Sequence, residues 1–347
     1  MKIVYDHFIA KGGAERVSLL LQRYLKHSVV ESAYVDKSLF QDDDIKCYGY
    51  DYREALIPTL SLMFFYLFKF KLDTNRDYFL SGIFSPLALM LGPKGGRRIV
   101  YFHTFPDFCD VVKQPTFMTK LLQPLLRRLY IWLLKQSLKN ADQVYSNSQY
   151  VKSKFESLKV ASEILYPPIV CKEFEFKRSD DYYLVVSRLE ENKRVNLILE
   201  AFSLMPEFKL VVIGSGSMYL ELFNRFKQCS NITLLGALPP EKLKDYYSRC
   251  KAVIAIPENE YFGLVAIEAL ASGKFVIGAK SGGLIETIKN EDLGVLIEEP
   301  VTSQKLLDRV QHFEQLTPSL DNHQLRQAEV KVYDIEFFVQ RLKCVKS

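Results

Sequence analysis

Two carboxylates with seven residues between them, Glu260 and Glu268 in Glu260-Tyr-Phe-Gly-Leu-Val-Ala-Ile-Glu268, are the strongest sign of chemistry in this chain. The apolar run 252–256 predicts a strand that delivers the first. A helix-forming run, 264–271, carries the second about two turns along. A helix beginning at Phe262 or Gly263 offers free backbone N–H groups to an anion, with both carboxylates near by. This is a site for a ligand with phosphates and several hydroxyls, of which a nucleotide sugar is one.

Other residues fit the same ligand. Arg188 and Lys193 follow the predicted strand 182–187, in Ser187-Arg-Leu-Glu-Glu-Asn-Lys-Arg194. Cations fixed beyond a strand end stabilise the charge that develops on a diphosphate leaving group. The alternative is a solvated turn in which Glu190 and Glu191 pair with them. Lys11-Gly-Gly-Ala-Glu-Arg16 follows the first strand. Its Gly12 and Gly13 either let backbone approach a phosphate or form an ordinary tight turn. Neither this run nor Gly214-Ser-Gly216 is a GxGxxG dinucleotide fingerprint. His103, in Tyr101-Phe-His-Thr-Phe-Pro106, is either a sugar-binding or proton-carrying group or a structural histidine. Asp107 gives no basis for a catalytic base. Asp42-Asp-Asp44 has the Asp-x-Asp spacing of a metal-diphosphate site but reads better as a solvated acidic turn. No metal ligand set and no cofactor is expected.

These residues need elements to hold them. A chain of 347 residues predicts two domains. With 48% hydrophobic and 25% charged residues it is expected to be folded rather than disordered. A net charge of +5 does not imply nucleic acid. Six scattered cysteines without CxxC or zinc spacing predict mostly buried thiols in a reducing compartment. Met1-Lys-Ile-Val-Tyr5 reads as a first strand rather than a secretory leader. The segment 57–72 is too short and too interrupted by Lys69 and Lys71 to span a bilayer, and predicts a partly buried or surface-lying helix.

In the first half, short strands at 2–5, 78–80, 98–102 and 144–146 alternate with helices. One helix runs from Ala14 to Leu25, with Leu19, Leu20 and Leu21 available to a sheet. Another starts at Gln149. Pro167-Pro168 break the pattern and mark a linker that extends to Asp181. The second half repeats strand, glycine, helix units, the pattern of a mostly parallel sheet with its ligand loops at the carboxyl edge. Two such domains are expected to form a cleft, and 335–342 is expected to return to the first as a helix. Residues 113–140 contain six Lys or Arg and no acid, among leucines, Tyr130 and Trp132. They are either a basic amphipathic surface for anionic lipid or an interior helix with a basic outer face. They lack the aromatic-basic platform of a nucleic-acid binder.

Taken in order, Lys11-Gly-Gly-Ala-Glu-Arg-Val17, Tyr101-Phe-His103, Ser146-Asn-Ser-Gln-Tyr-Val151, Leu165-Tyr-Pro-Pro-Ile169, Ser187-Arg-Leu189 with Lys193-Arg-Val195, and the glutamate segment followed by Ala271-Ser-Gly273 resemble the family 4 retaining glycosyltransferases. The resemblance runs to about Ile297. It implies an α/β fold of the GT-B architecture, two Rossmann-like domains facing across a cleft. The acceptor-side domain would be 1–167, with 331–347 packing back on it, and the nucleotide-sugar donor domain 168–330. It implies that Glu268 binds the donor ribose, that Glu260 faces the transferred hexose, and that amides of Phe262, Gly263 and Leu264 hold hexose hydroxyls or phosphate. Arg188 and Lys193 would hold the diphosphate, with Gly12 or Gly13 contributing. His103 would touch the sugar, and backbone near Gly236 and Leu238 the base. The chemistry implied is retaining hexosyl transfer without an obligate metal or a protein nucleophile.

Within the family the pattern is similar to GDP-mannose-dependent mannosyltransferases of lipopolysaccharide or lipid-linked oligosaccharide assembly. It departs from them after His103, at Phe105-Pro-Asp-Phe-Cys109. The acceptor would be a glycan or a lipid-linked sugar, and the place of work the cytoplasmic face of a membrane. A UDP-glucose or UDP-galactose enzyme, or a non-catalytic nucleotide-sugar-binding protein, are the alternatives.

Overall fold

The computed structural model describes residues 1–41, 43–55, 58–106, 117–316 and 322–345, with backbone alone at 54, 117–122 and 316. Asp42, Asp107, Cys109, Lys113 and Ile57, which entered the sequence reading, lie outside the described residues. The chain divides into two compact units, Met1–Pro168 with Ile335–Ser347, and Ile169–Asp334. Each holds one parallel sheet.

The first sheet comprises β1 Lys2–Phe8, β2 Val29–Val35, β3 Ile45–Cys47, β4 Tyr78–Ser81, β5 Arg98–Phe102, β6 Gln143–Ser146 and β7 Glu163–Ile164, in the order β3-β2-β1-β4-β5-β6-β7. Every pairing is parallel. β4 and β5 are buried at every position because helices cover both faces, and they read as nearly continuous apolar runs for that reason. Helix Gly13–Tyr24 presents Val17, Ser18 and Leu21 to the interior; Leu19 and Leu20 are only half-buried, so the expected trio is reduced to Leu21. Helix Ile335–Lys343 buries Phe338 against Tyr101 and Phe79, with ring centroids 5.5 and 6.2 Å apart. Arg97 fixes its far end by donating to the carbonyls of Leu342 (3.2 Å) and Lys343 (3.4 Å).

The segment after residue 57 is helix Pro58–Phe64 continued by a π-helical turn, Phe65–Lys69. Leu62, Met63, Phe65 and Tyr66 face inward, while the exposed Phe64 and Phe68 rings meet at a tilt, centroids 5.0 Å apart. Among the described residues no helix is long and apolar enough to cross a membrane.

The second sheet comprises β8 Tyr182–Val186, β9 Lys209–Ile213, β10 Ile232–Gly236, β11 Ala252–Ala255, β12 Phe275–Ala279 and β13 Gly294–Ile297, in the order β10-β9-β8-β11-β12-β13, again all parallel. Its core is one cluster that includes Tyr183, Leu199, Phe202, Phe226, Ile254, Ile277, Leu306 and Phe313, with the Tyr183 ring against both Phe202 and Phe313. The chain enters and leaves this unit side by side. Ile169 N donates to Tyr333 O at 2.9 Å, and Cys171 N to the Asp334 carboxylate at 3.0 Å. The architecture is that of two Rossmann-like α/β domains.

The described cysteines are unpaired. They are not mostly buried, as composition suggested: Cys250 is buried, Cys344 is exposed, and Cys47, Cys171 and Cys229 lie between. These thiols sit near element ends, where coverage is partial.

Candidate active site

In the second sheet the chain runs one way from β8 and the other way from β11, and these two strands are neighbours. A crevice at the carboxyl ends of such strands is where open α/β sheets bind ligands. The loop after β8 is held by Ser187 N donating to Ile213 O (3.0 Å) and Leu189 N to Ser215 O (2.9 Å). Gly214, at φ +147°, allows this approach; a Cβ there would overlap Ser187 O. A 3-10 turn, Glu191–Lys193, ends at Arg194 in the left-handed region (φ 53°). Arg194 is kept there by Glu299, at 2.8 and 3.0 Å. Glu258 N donates to Asn192 O at 2.7 Å and joins this loop to the one after β11.

That second loop ends at Gly263, which caps helix Leu264–Ala271 at φ +96° with no side chain donating or accepting at the cap. A Cβ on Gly263 would lie 2.6 Å from Leu284 Cδ2. The helix therefore starts at Leu264, one or two residues later than the sequence implied. Its first amides have no intrahelical acceptors, and the helix dipole favours negative charge there.

Lys193 Nζ donates to Glu260 Oε2 at 2.7 Å, with both side chains about four-fifths buried (19% and 20% exposed). The solvated-turn reading is thus corrected. Glu190 turns away to accept from Ser217 N and Oγ, and Lys193 pairs with the carboxylate after β11 instead. Arg188 is exposed on the same loop. Glu268 is 1% exposed, and its Oε2 accepts from Tyr247 OH at 2.8 Å. Tyr247, from helix Pro240–Arg249, is absent from the residues singled out in the sequence; a lone tyrosine on an amphipathic helix carries no local signal. Phe262 is buried, Leu264 half-buried. Gly236 ends β10 at φ +70°, its carbonyl accepting from Gly214 N at 2.9 Å, and Leu238 follows half-buried.

The first unit holds the remaining candidates at the carboxyl edge of its own sheet. Gly12 caps helix Gly13–Tyr24 in an extended conformation without a side-chain cap. The Glu15 carboxylate folds back toward it: a Cβ at Gly12 would meet Glu15 Oε2 at 2.6 Å. An acid at a helix N-terminus is itself favoured by the dipole, so the place expected to receive phosphate already has a carboxylate beside it. His103 is buried. Its Nε2 shares a 2.6 Å hydrogen bond with Ser81 Oγ, and its carbonyl accepts from Asn147 Nδ2 at 2.7 Å. Burial lowers its pKa to about 3, so the ring is neutral near pH 7. Asp6, on β1, accepts amides of Ile83 (2.6 Å), Phe84 (2.9 Å) and Ser85 (2.6 Å). Burial still outweighs these bonds and raises its pKa to about 6. His7 Nδ1 and Tyr52 OH share a 3.0 Å bond, and burial lowers His7 to about 4. Asp6, Ser81 and Tyr52 gain their roles only through partners distant in sequence. An acid inside an apolar strand is the one signal that marks Asp6. Among the described residues no group of three His, Cys, Asp or Glu is placed to hold a metal ion.

Cations, carboxylates and a helix start without a side-chain cap, gathered at the switch point of a parallel α/β sheet, make a site suited to a phosphate-bearing ligand. Residues 171–329 match the model of the family glycosyl transferases group 1, so the chain carries a group 1 glycosyltransferase domain. An uncharacterized glycosyltransferase of Methanocaldococcus jannaschii is 28% identical over 172 residues, 48% of each chain. The alpha-1,3/1,6-mannosyltransferase ALG2 of Homo sapiens is 25% identical over 250 residues, 61% of this chain and 59% of that one. The chain spans less than two thirds of the length of these curated relatives. The structure of Anabaena Alr3699/HepE in complex with UDP-glucose superposes with a TM-score of 0.73 over 99% of this chain and 98% of that one, at 16% identity. That likeness establishes the GT-B fold.

Proposed function

We propose that this chain is a retaining, metal-independent hexosyltransferase that moves mannose from GDP-mannose to a glycan or lipid-linked acceptor. The observation that carries the reading is the Lys193–Glu260 pair beside the uncapped start of helix Leu264–Ala271. The Lys193 cation is paired with Glu260. A donor diphosphate would recruit Lys193, and Arg188 with it, as the bond to the sugar breaks. Both cations then stabilise the leaving group more than the ground state. Glu260, released from Lys193, would be placed to accept from hexose hydroxyls. Glu268, oriented by Tyr247, would bind the ribose, Phe262, Gly263 and Leu264 the hexose or phosphate through their amides, and Gly236 and Leu238 the base. His103, neutral and oriented by Ser81, would serve the sugar as a hydrogen-bonding group rather than a cation. Gly12 and Gly13 would contribute to the diphosphate only if Glu15 moves aside.

The mannose reading draws on ALG2, and a UDP-glucose reading on the complex solved for HepE. Donor hydrolysis and thermal shift across GDP-mannose, UDP-glucose, UDP-galactose and UDP-N-acetylglucosamine, with and without chelator, separate them. A GDP-mannose response that survives chelator is expected. A UDP-sugar response would move the donor assignment, and binding without turnover would leave a nucleotide-sugar-binding protein.

We further propose peripheral contact with the cytoplasmic face of an anionic membrane. Helix Phe117–Leu138 buries Tyr130 and Leu134 and leaves Leu125, Leu129 and Trp132 outward on successive turns, 62%, 43% and 53% exposed. Arg127 and Arg128 are exposed between them.

A further inference from the structure

The first sheet carries a second constellation at its opposite edge. A cavity of about 250 Å³ opens beside the amino-terminal ends of β5 and β6, walled by Lys94, Gly95, Gly96, Arg98, Lys139 and Asp142 among others. His103 leaves the other end of β5, roughly 16 Å away at about 3.3 Å per residue. The cavity is therefore separate from the candidate residues at the carboxyl edge of this sheet. It is smaller than the roughly 300–1,000 Å³ pockets that enclose drug-sized ligands, which excludes a nucleotide sugar and favours a compact ligand.

Its charge is unbalanced. Lys94, Arg98 and Lys139 face one carboxylate, Asp142, which accepts from the Arg98 amide at 2.6 Å. Arg98 is 3% exposed, yet among the described residues no carboxylate forms an ion pair with its guanidinium. Nη1 donates to Arg76 O and Nη2 to Asp73 O (2.9 Å), the group lies 4.9 Å over the Tyr78 ring, and the buried Nε has no partner. A buried cation with an unmade hydrogen bond is costly unless an anion meets it. The loop that supplies Lys94 is shaped for its position: Gly95 (φ +125°) and Gly96 (φ +60°) seat it on Thr74 and Arg76, where a Cβ on Gly96 would overlap Arg76 O.

We propose that this cavity binds a small phosphate-bearing anion, orthophosphate or a compact phosphomonoester, held by Arg98, Lys94 and Lys139. The dianion matches the net charge of the wall, and a phosphate offers acceptors to several donors at once. Bound there, it links the turn after helix Phe117–Leu138 to the loop whose Arg97 holds the last helix.

The test uses the full chain with orthophosphate, by calorimetry and thermal shift, against sodium chloride of matched ionic strength. Saturable binding that raises Tm is expected, weakened at least about tenfold in the Lys94→Gln/Lys139→Gln variant. Both lysines are exposed, so that variant should unfold like the parent without ligand. Lys193→Ala, in the other unit, should keep the response. No saturable response beyond chloride, or equal affinity in the double variant, would overturn the proposal. So would loss of the response in Lys193→Ala alone, or capture by phosphatidic-acid vesicles without any response to orthophosphate.

Discussion

Acidification from pH 7 to pH 5 should destabilise the first unit through its buried histidines. His103 titrates near 6.5 when unfolded and near 3 when folded, because burial opposes the imidazolium. Below pH 6.5 the unfolded chain therefore binds a proton that the folded one refuses, and stability falls with pH until about 3. Each pH unit crossed costs about 1.4 kcal/mol, so the step from 6.5 to 5 removes about 2 kcal/mol. His7, lowered to about 4, contributes a similar loss over the same step. Asp6 acts in the opposite sense. Its folded pKa, raised to about 6, means that the folded carboxyl takes up a proton first as pH falls, returning about 1.4 kcal/mol by pH 5. The net expectation for the three groups is a loss of about 3 kcal/mol. Urea denaturation followed at both pH values measures it, and proton NMR of the histidine rings assigns it. If His103 titrated near 6.5 in the folded chain, the reasoning from burial would fail, and with it the neutral role given to this ring.

Three further expectations concern the second unit and the surface. Lys193→Ala should lower turnover by roughly 10²–10³ while changing donor affinity little; equal loss in both would indicate uniform binding. Gly263→Ala should destabilise the second unit by about 1–3 kcal/mol, since it forces a side chain into a left-handed conformation against Leu284; an unchanged urea midpoint would contradict that geometry. Arg127→Gln/Arg128→Gln should weaken flotation with anionic vesicles by about 1 kcal/mol per charge; vesicle capture that is the same in the double variant would remove this helix from the interface.

The parts of the fold legible in the sequence are those in which one strand or helix carries its own pattern. β4, β5, β8, β9 and β12 are apolar runs, and glycines punctuate the second unit after most strands. β2 is illegible by the same logic. Its buried Glu31 and Ser32 interrupt the apolar run, and Glu31 is tolerated because Lys2 (3.1 Å), Lys46 (3.3 Å) and Tyr48 OH (3.0 Å) surround it. β3 and β7, of three and two residues, are too short to show a period. In the site, the residue types were legible but not their partners. Local spacing offers Glu190 and Glu191 to Lys193, whereas the left-handed turn at Arg194 and the bond from Glu258 to Asn192 present it to Glu260. Asp6 finds its three amides 77 to 79 residues downstream, beyond the reach of any motif.

The two units differ in how they can be made. Residues 169–334 are one uninterrupted stretch, so every strand of the second sheet is available once that stretch has left the ribosome. The first unit is split, and Phe338 reaches Phe79 and Tyr101 only after the whole of the other unit has been synthesised. During synthesis, the faces of β4 and β5 that Phe338 covers wait without their final helix. The half of the chain translated first is thus the half completed last.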